Sequence, residues 1–200
     1  MNIFDYLLQV SILLTLPIVI LMGVMAGLVV ILRDWRLALF AYAFESILLA
    51  ILLMQRLPIE WALLQMIAGA LVAAMLFLSA RQLRQAVRPE LSREARWPHL
   101  SSLGLFRLLA VLLALLAFVG LHTHVLLPVV SATWRDGILW LAIAGGLGLA
   151  LHEEPLHAGL ALLTLVGGVM LLLFSLTPSR TLVGLFGGWQ LLLGLAVSYL

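Results

Sequence analysis

Arg33-Asp-Trp-Arg-Leu-Ala-Leu-Phe-Ala-Tyr-Ala-Phe-Glu-Ser-Ile-Leu-Leu-Ala-Ile-Leu-Leu-Met54 is a basic turn followed by an apolar run with one carboxyl group, Glu45, set inside it. Glu45 lies nine residues beyond Arg36. At about 1.5 Å of rise per residue, a helix carries it roughly 13 Å from that turn, near the centre of a hydrocarbon layer about 30 Å thick. Insertion scales charge an acidic residue at helix centre about 2.5–3.5 kcal/mol, so such a group is turned toward protein, protonated or paired, and commonly handles ions or protons. The structural alternative is a neutral glutamic acid that hydrogen-bonds a neighbouring helix and only holds a bundle together.

The rest of the chain supplies the same setting. Of its 200 residues, 64% are hydrophobic and 10% charged, against about 25% charged in soluble domains. With a mean hydropathy of +1.21, this predicts an all-α, multi-pass membrane protein. The net charge of +2 comes from Arg alone, since the chain has no Lys, and a basic balance in a membrane protein faces anionic lipid rather than nucleic acid. Without Cys there is no thiolate for an iron–sulfur cluster and no disulfide. The first 32 residues have no basic leader and an apolar run too long for a signal peptide, so they are expected to stay as a span.

Seven spans are expected, at about Tyr6–Leu32, Arg36–Met54, Trp61–Ala80, Leu103–Leu121, Gly137–Leu151, Ala158–Leu176 and Thr181–Leu200. The fifth is short, and six spans are the alternative. Pro17 predicts a kink in the first span, and Gly23 with Gly27 offers a smooth face for close helix packing. The one long polar stretch, from Arg81 to Ser102, continues the third helix along the headgroups at Arg81, Arg84 and Arg88 and then links two halves. This divides the chain into a three-helix unit at 1–84, a basic linker and connecting helix at 85–130, and a second three-helix unit at 131–200. Turns after spans one, three and five hold Arg33, Arg36, Arg81, Arg84, Arg88, Arg93, Arg96 and Arg107, while the other side holds Arg56, Arg135 and Arg180. The excess places the amino terminus outside and the carboxyl terminus in the cytoplasm.

The two units read as copies. Each has a long span, a compact charged turn (Arg33-Asp-Trp-Arg36; His152-Glu-Glu-Pro155), a second span, an outer turn with Pro and Arg, and a third span with one Gln, Gln65 or Gln190. Laid turn on turn, Glu45 falls opposite Thr164, so only the first copy keeps a carboxyl. Three spans reverse the chain direction, and a second copy in the same orientation needs an odd connecting helix. Span four supplies it.

The first 84 residues resemble subunit K of bacterial respiratory complex I, in the basic turn Arg33-Asp-Trp-Arg-Leu-Ala-Leu-Phe40, the buried Glu45-Ser-Ile-Leu-Leu-Ala50 and the end of the third span, Val72-Ala-Ala-Met-Leu-Phe-Leu-Ser-Ala-Arg81. Over its whole length the chain is similar to hydrogenase-4 component E, where Arg-Leu followed by Phe/Tyr-Ala corresponds to Arg36-Leu-Ala-Leu-Phe-Ala-Tyr-Ala43. The resemblance implies proton conduction or coupling, with Glu45 as the carboxyl of the second helix. In subunit K a second buried Glu lies in the third helix, and in the hydrogenase component a Lys lies there. Here that position is Ala68, with Gln65 one turn earlier, and a Gln cannot take up and release a proton. A partner subunit would supply the next titratable group.

Other chemistries fit less well. His99, His122, His124, His152 and His157 all fall in expected turns or at helix ends, where His is commonly a polar end marker. His152-Glu-Glu-Pro-Leu-His157 lacks the His-Glu-x-x-His spacing of a zinc-protease helix and contains Pro155. Glu153 and Glu154 are expected to be solvated, in position to meet a peripheral arm. The expectation is therefore a non-catalytic membrane subunit of a complex-I-like oxidoreductase or group 4 hydrogenase. Glu45 is its protonatable site, Gln65 and Ser46 its water-holding companions, and no cofactor is its own. Its partners are other membrane subunits and the lipid bilayer. A stand-alone small transporter and a structural subunit or assembly factor are the alternatives.

Overall fold

Residues 3–86, 102–122, 124, 130–177 and 179–199 are described by a computed structural model of the chain. They form seven α-helices: α1 (Ile3–Ile31), α2 (Trp35–Leu53), α3 (Ile59–Ala86), α4 (Ser102–Leu121), α5 (Ala132–Leu151), α6 (Pro155–Leu176) and α7 (Arg180–Tyr199), and no strand occurs among the described residues. Six of these, α2 to α7, are long and apolar enough to cross a membrane, and the described side chains of α1 form an apolar stretch over Thr15–Ile31. Arg88, Arg93, Arg96 and His99 lie outside the described residues.

Local chemistry sets the helix starts. Asp34, in extended conformation, caps α2 by accepting the Arg36 N–H at 3.1 Å. Extended Glu154 precedes Pro155, whose fixed φ and missing N–H suit a first helical position. α1 runs without interruption through Pro17. Two boundaries differ from the sequence expectation. Trp134, Arg135 and Asp136 stand in the first turns of α5, not in a turn before it, which brings that helix to 20 residues. His157 likewise belongs to the first turn of α6, because the helix begins at Pro155.

The first three helices lie against the last three, counterpart beside counterpart. The Trp140 indole N–H donates to the Gly23 carbonyl at 2.7 Å, joining α5 to α1. Thr164 bonds Glu45 between α6 and α2. Gln65 with Gln190, and the Ser79 hydroxyl donating to the Ser198 carbonyl at 2.6 Å, join α3 to α7. Along α3 and α7 the numbers rise together, so these two helices run parallel. α4 is peripheral: no residue of Gly104–Leu121 is fully buried, and a groove lined by Gly23, Val24, Gly27, Leu112, Leu115 and Phe118 separates it from α1.

α7 shows the packing logic. Its buried stripe is Val183, Gly187, Gln190 and Gly194, whereas Leu185, Trp189, Leu192 and Leu195 point outward. In lipid the apolar side chains gain nothing by leaving the surface, and small residues allow close helix contact.

The apolar core consists of two clusters. One gathers Met22, Leu48, Leu52, Ile138, Leu141, Met170 and Phe174; the other gathers Trp35, Leu39, Tyr42, Leu76, Leu160 and Leu163. On α2 the second cluster ends at Tyr42 and the first begins at Leu48; on α6 they part between Leu163 and Met170. Glu45 and Thr164 stand in that interval.

Candidate functional site

Four buried polar side chains from four helices occupy the level between the clusters: Glu45 on α2, Gln65 on α3, Thr164 on α6 and Gln190 on α7. Glu45 is 2% exposed, and its Oε2 accepts the Thr164 hydroxyl at 3.1 Å. A β-carbon at Gly167 would stand in ordinary contact with Glu45 Oε1 at 3.9 Å and press on Leu49 at 3.1 Å, so the glycine lets α6 lie close to α2 beside the carboxyl. Gln65 is 1% exposed and donates its amide N–H to the Gln190 carbonyl, while its own Oε1 is buried with no hydrogen-bond partner among the described residues. A β-carbon at Gly187 would stand 3.8 Å from that oxygen. An orphaned acceptor beside a glycine is a place where a water molecule can bind.

Ser46 is placed differently from Glu45. Its hydroxyl donates to the Ala43 carbonyl at 2.7 Å, and a β-carbon at Gly69 would meet it at 2.7 Å, so Ser46 serves the α2–α3 contact. Gly23 and Gly27 face the Trp140 indole, within the chain. Trp140 therefore packs helix to helix, and Trp134 is buried. Tyr42, one turn from Glu45 on the same helix face, is buried, and its hydroxyl has no hydrogen-bond partner among the described residues.

A second polar group closes the end of the bundle at the α5–α6 turn. Glu153 and Glu154 are exposed as expected, but His152 and His157 are buried, at 6% and 2% exposure. Their rings stack 5.1 Å apart and 5° from parallel. His152 Nδ1 donates to the Gly148 carbonyl at 3.0 Å, which leaves Nε2 as the basic nitrogen, buried and without a hydrogen-bond partner among the described residues. His157 Nδ1 lies 3.0 Å from Glu154 Oε2. Among the described residues no group of three or more His, Cys, Asp or Glu is placed to hold a metal ion.

The sequence singled out Glu45 and Gln65, and the alignment of the two halves had already set Thr164 against the first and Gln190 against the second. It missed Tyr42 and the histidine pair. The spacing of Tyr42 and Glu45, and of His157 and Thr164 at seven residues, puts each pair on one helix face and was the available signal. Comparison of the chain with protein-family models, with curated proteins and with solved structures returns no match.

Proposed function

We propose that this chain is a non-catalytic membrane subunit of a complex-I-like oxidoreductase or group 4 membrane-bound hydrogenase, in which Glu45 takes up and releases a proton as redox chemistry in other subunits drives it. The observation that carries this reading is the setting of Glu45: a carboxyl buried between two apolar clusters, bonded to Thr164 and one turn from Tyr42, whose hydroxyl has no hydrogen-bond partner among the described residues. Intramembrane carboxyls so placed belong to proton pathways more often than to scaffolds. The sequence resemblance to subunit K and hydrogenase-4 component E supplies the kind of assembly. In this reading α1–α3 and α5–α7 are two copies of one unit, α4 is the odd connector, and all seven helices span, with the amino terminus outside. The side-by-side placement of counterpart helices supports the duplication. Because Ala68 stands where subunit K and the hydrogenase component carry an ionisable group, and Gln65 is engaged with Gln190, the titratable site on the α3 side of Glu45 belongs to a partner subunit.

The Thr164–Glu45 bond also ties α2 to α6, which favours a structural role as the second reading. Glu45→Gln keeps a side chain of similar size that can still bond Thr164 but cannot carry a proton. Chain purified gently from its own membranes is expected to bring antiporter-like and iron–sulfur subunits with it. In that complex the Gln variant assembles normally and loses coupled proton movement at least tenfold. Unchanged pumping in an assembled Gln variant overturns the proton role and leaves the structural one. Isolation as a lone, active carrier overturns the assembly.

A further inference from the structure

We propose that the stacked His152–His157 pair, with Glu154 at its solvent side, is the port through which Glu45 exchanges its proton with the water at the α5–α6 end of the bundle. This rests on the reading of Glu45 as a group that exchanges protons. The pair has an outside and an inside. Glu154 is 72% exposed at its side chain and touches the buried His157 ring at 3.0 Å, so one carboxylate links bulk water to an imidazole that water does not reach directly. His157 lies two helical turns from Thr164 on the same face of α6, and Thr164 holds Glu45. That separation is roughly 10 Å along the axis. Tyr42 stands one turn from Glu45 toward the same end, in the apolar cluster that also contains Leu160 and Leu163, and its buried hydroxyl has no hydrogen-bond partner among the described residues. A neutral hydroxyl that can accept and donate at once is a suitable relay through such a cluster, with transient water completing the contacts.

Burial and the neighbouring cations favour the neutral form of the His152 ring. Burial holds His152 below the ordinary histidine range; the Gly148 carbonyl opposes this, the Arg107 guanidinium on α4 and the His157 ring reinforce it, and Glu154 opposes it weakly. Glu153, beside Glu154 in the turn, is exposed. One proton moves in the transfer. It leaves water, passes Glu154 and His157, and ends on the Glu45 carboxylate; each relay group returns to its starting state, and the reverse order releases it. His152, stacked on His157, supplies the second basic nitrogen.

The test uses the full chain in lipid nanodiscs and follows hydrogen–deuterium exchange of the protonated Glu45 carboxyl by infrared difference spectroscopy, the band being assigned by its loss in Glu45→Gln. His157→Gln is expected to slow exchange about tenfold or more, and Tyr42→Phe to slow it also. Glu154→Gln changes only an exposed side chain and should slow it without disturbing the fold, whereas loosened packing would speed exchange. Wild-type exchange rates in both Glu154→Gln and His157→Gln overturn the port and leave the reading of Glu45 intact. Absence of the assigned band in the wild type at every pH from 5 to 9 overturns both.

Discussion

At His152 four neighbours pull the ring's protonation in opposite directions, and burial outweighs each of them. Desolvation is the largest influence and lowers the pKa, the Gly148 hydrogen bond raises it, and Arg107, His157 and Glu154 follow in that order. A histidine whose folded value lies below its unfolded value of about 6.5 binds protons more readily when the chain unfolds. Its contribution to stability is full above that pH and is lost as the pH falls through 6.5 toward the folded value. The thermal midpoint of the purified chain is therefore expected to fall between pH 7.5 and 5. His152→Asn retains an amide able to donate to the Gly148 carbonyl and removes the titration, so the variant's midpoint should be flatter over that range. An undiminished slope would assign the effect to other groups. This residue also marks the limit of what the sequence could say about the site. Glu45 was legible because a carboxyl in an apolar run has few explanations, and Gln65 because the spans around it are apolar. His152 and His157 sit in a charged turn, where polarity alone points to solvent; only the stacking of one ring on the other takes them out of it.

Among the elements, α5 and α6 pack backbone against backbone at Gly145. A β-carbon there would stand 2.6 Å from the backbone nitrogen of Leu165, and backbone cannot swing aside as a side chain can. Gly145→Ala is expected to destabilise the chain by about 1–3 kcal/mol, the range for overpacked interiors, in denaturant unfolding from mixed micelles. Gly146, with nothing within 4 Å of its β-carbon position, is the control, and Gly146→Ala should stay within about 0.5 kcal/mol of the parent. Equal losses would mean that glycine matters here for helix propensity, not for approach. Most helix starts and ends fall within a few residues of those expected, because hydropathy alone locates a membrane helix, and α3 runs on past the expected span to Ala86. The largest shift of a helix start, at α5, follows from Trp134-Arg-Asp136: charged residues read as a turn, yet Arg135 and Asp136 neutralise each other at 3.2 Å, and Arg56 on the neighbouring turn covers the Trp134 ring at 5.3 Å. Pairing of that kind requires a neighbour, which no window of sequence contains. The close partners of Gly145 and Gly194 were illegible for the same reason, since a glycine in a Leu-rich helix gives no address for what it touches.

For the whole molecule the open quantity is the number of crossings and their direction, and the chain is unusually convenient for measuring it. It contains no Cys, so each introduced cysteine is a sole reporter. Glu60 in the first turn of α3, Gln82 near the end of α3 and Glu153 between α5 and α6 are all exposed, so labelling at them reports on sidedness rather than burial. If all seven helices cross and the arginine excess sets the orientation, Glu60→Cys reacts with a membrane-impermeant maleimide in intact cells, whereas Gln82→Cys and Glu153→Cys react only after permeabilisation. The deciding position is Asn2→Cys, ahead of α1. Reaction from outside makes the count odd and puts α1 across the membrane; protection until permeabilisation, with the other three unchanged, makes the count six and lays α1 along the surface. The same four positions separate the orientation from the count, because an inverted protein exchanges the two groups while preserving their division. The side of Glu153 carries furthest, since it fixes which compartment's pH the His152–His157 pair meets, and with it the direction from which a proton would approach Glu45.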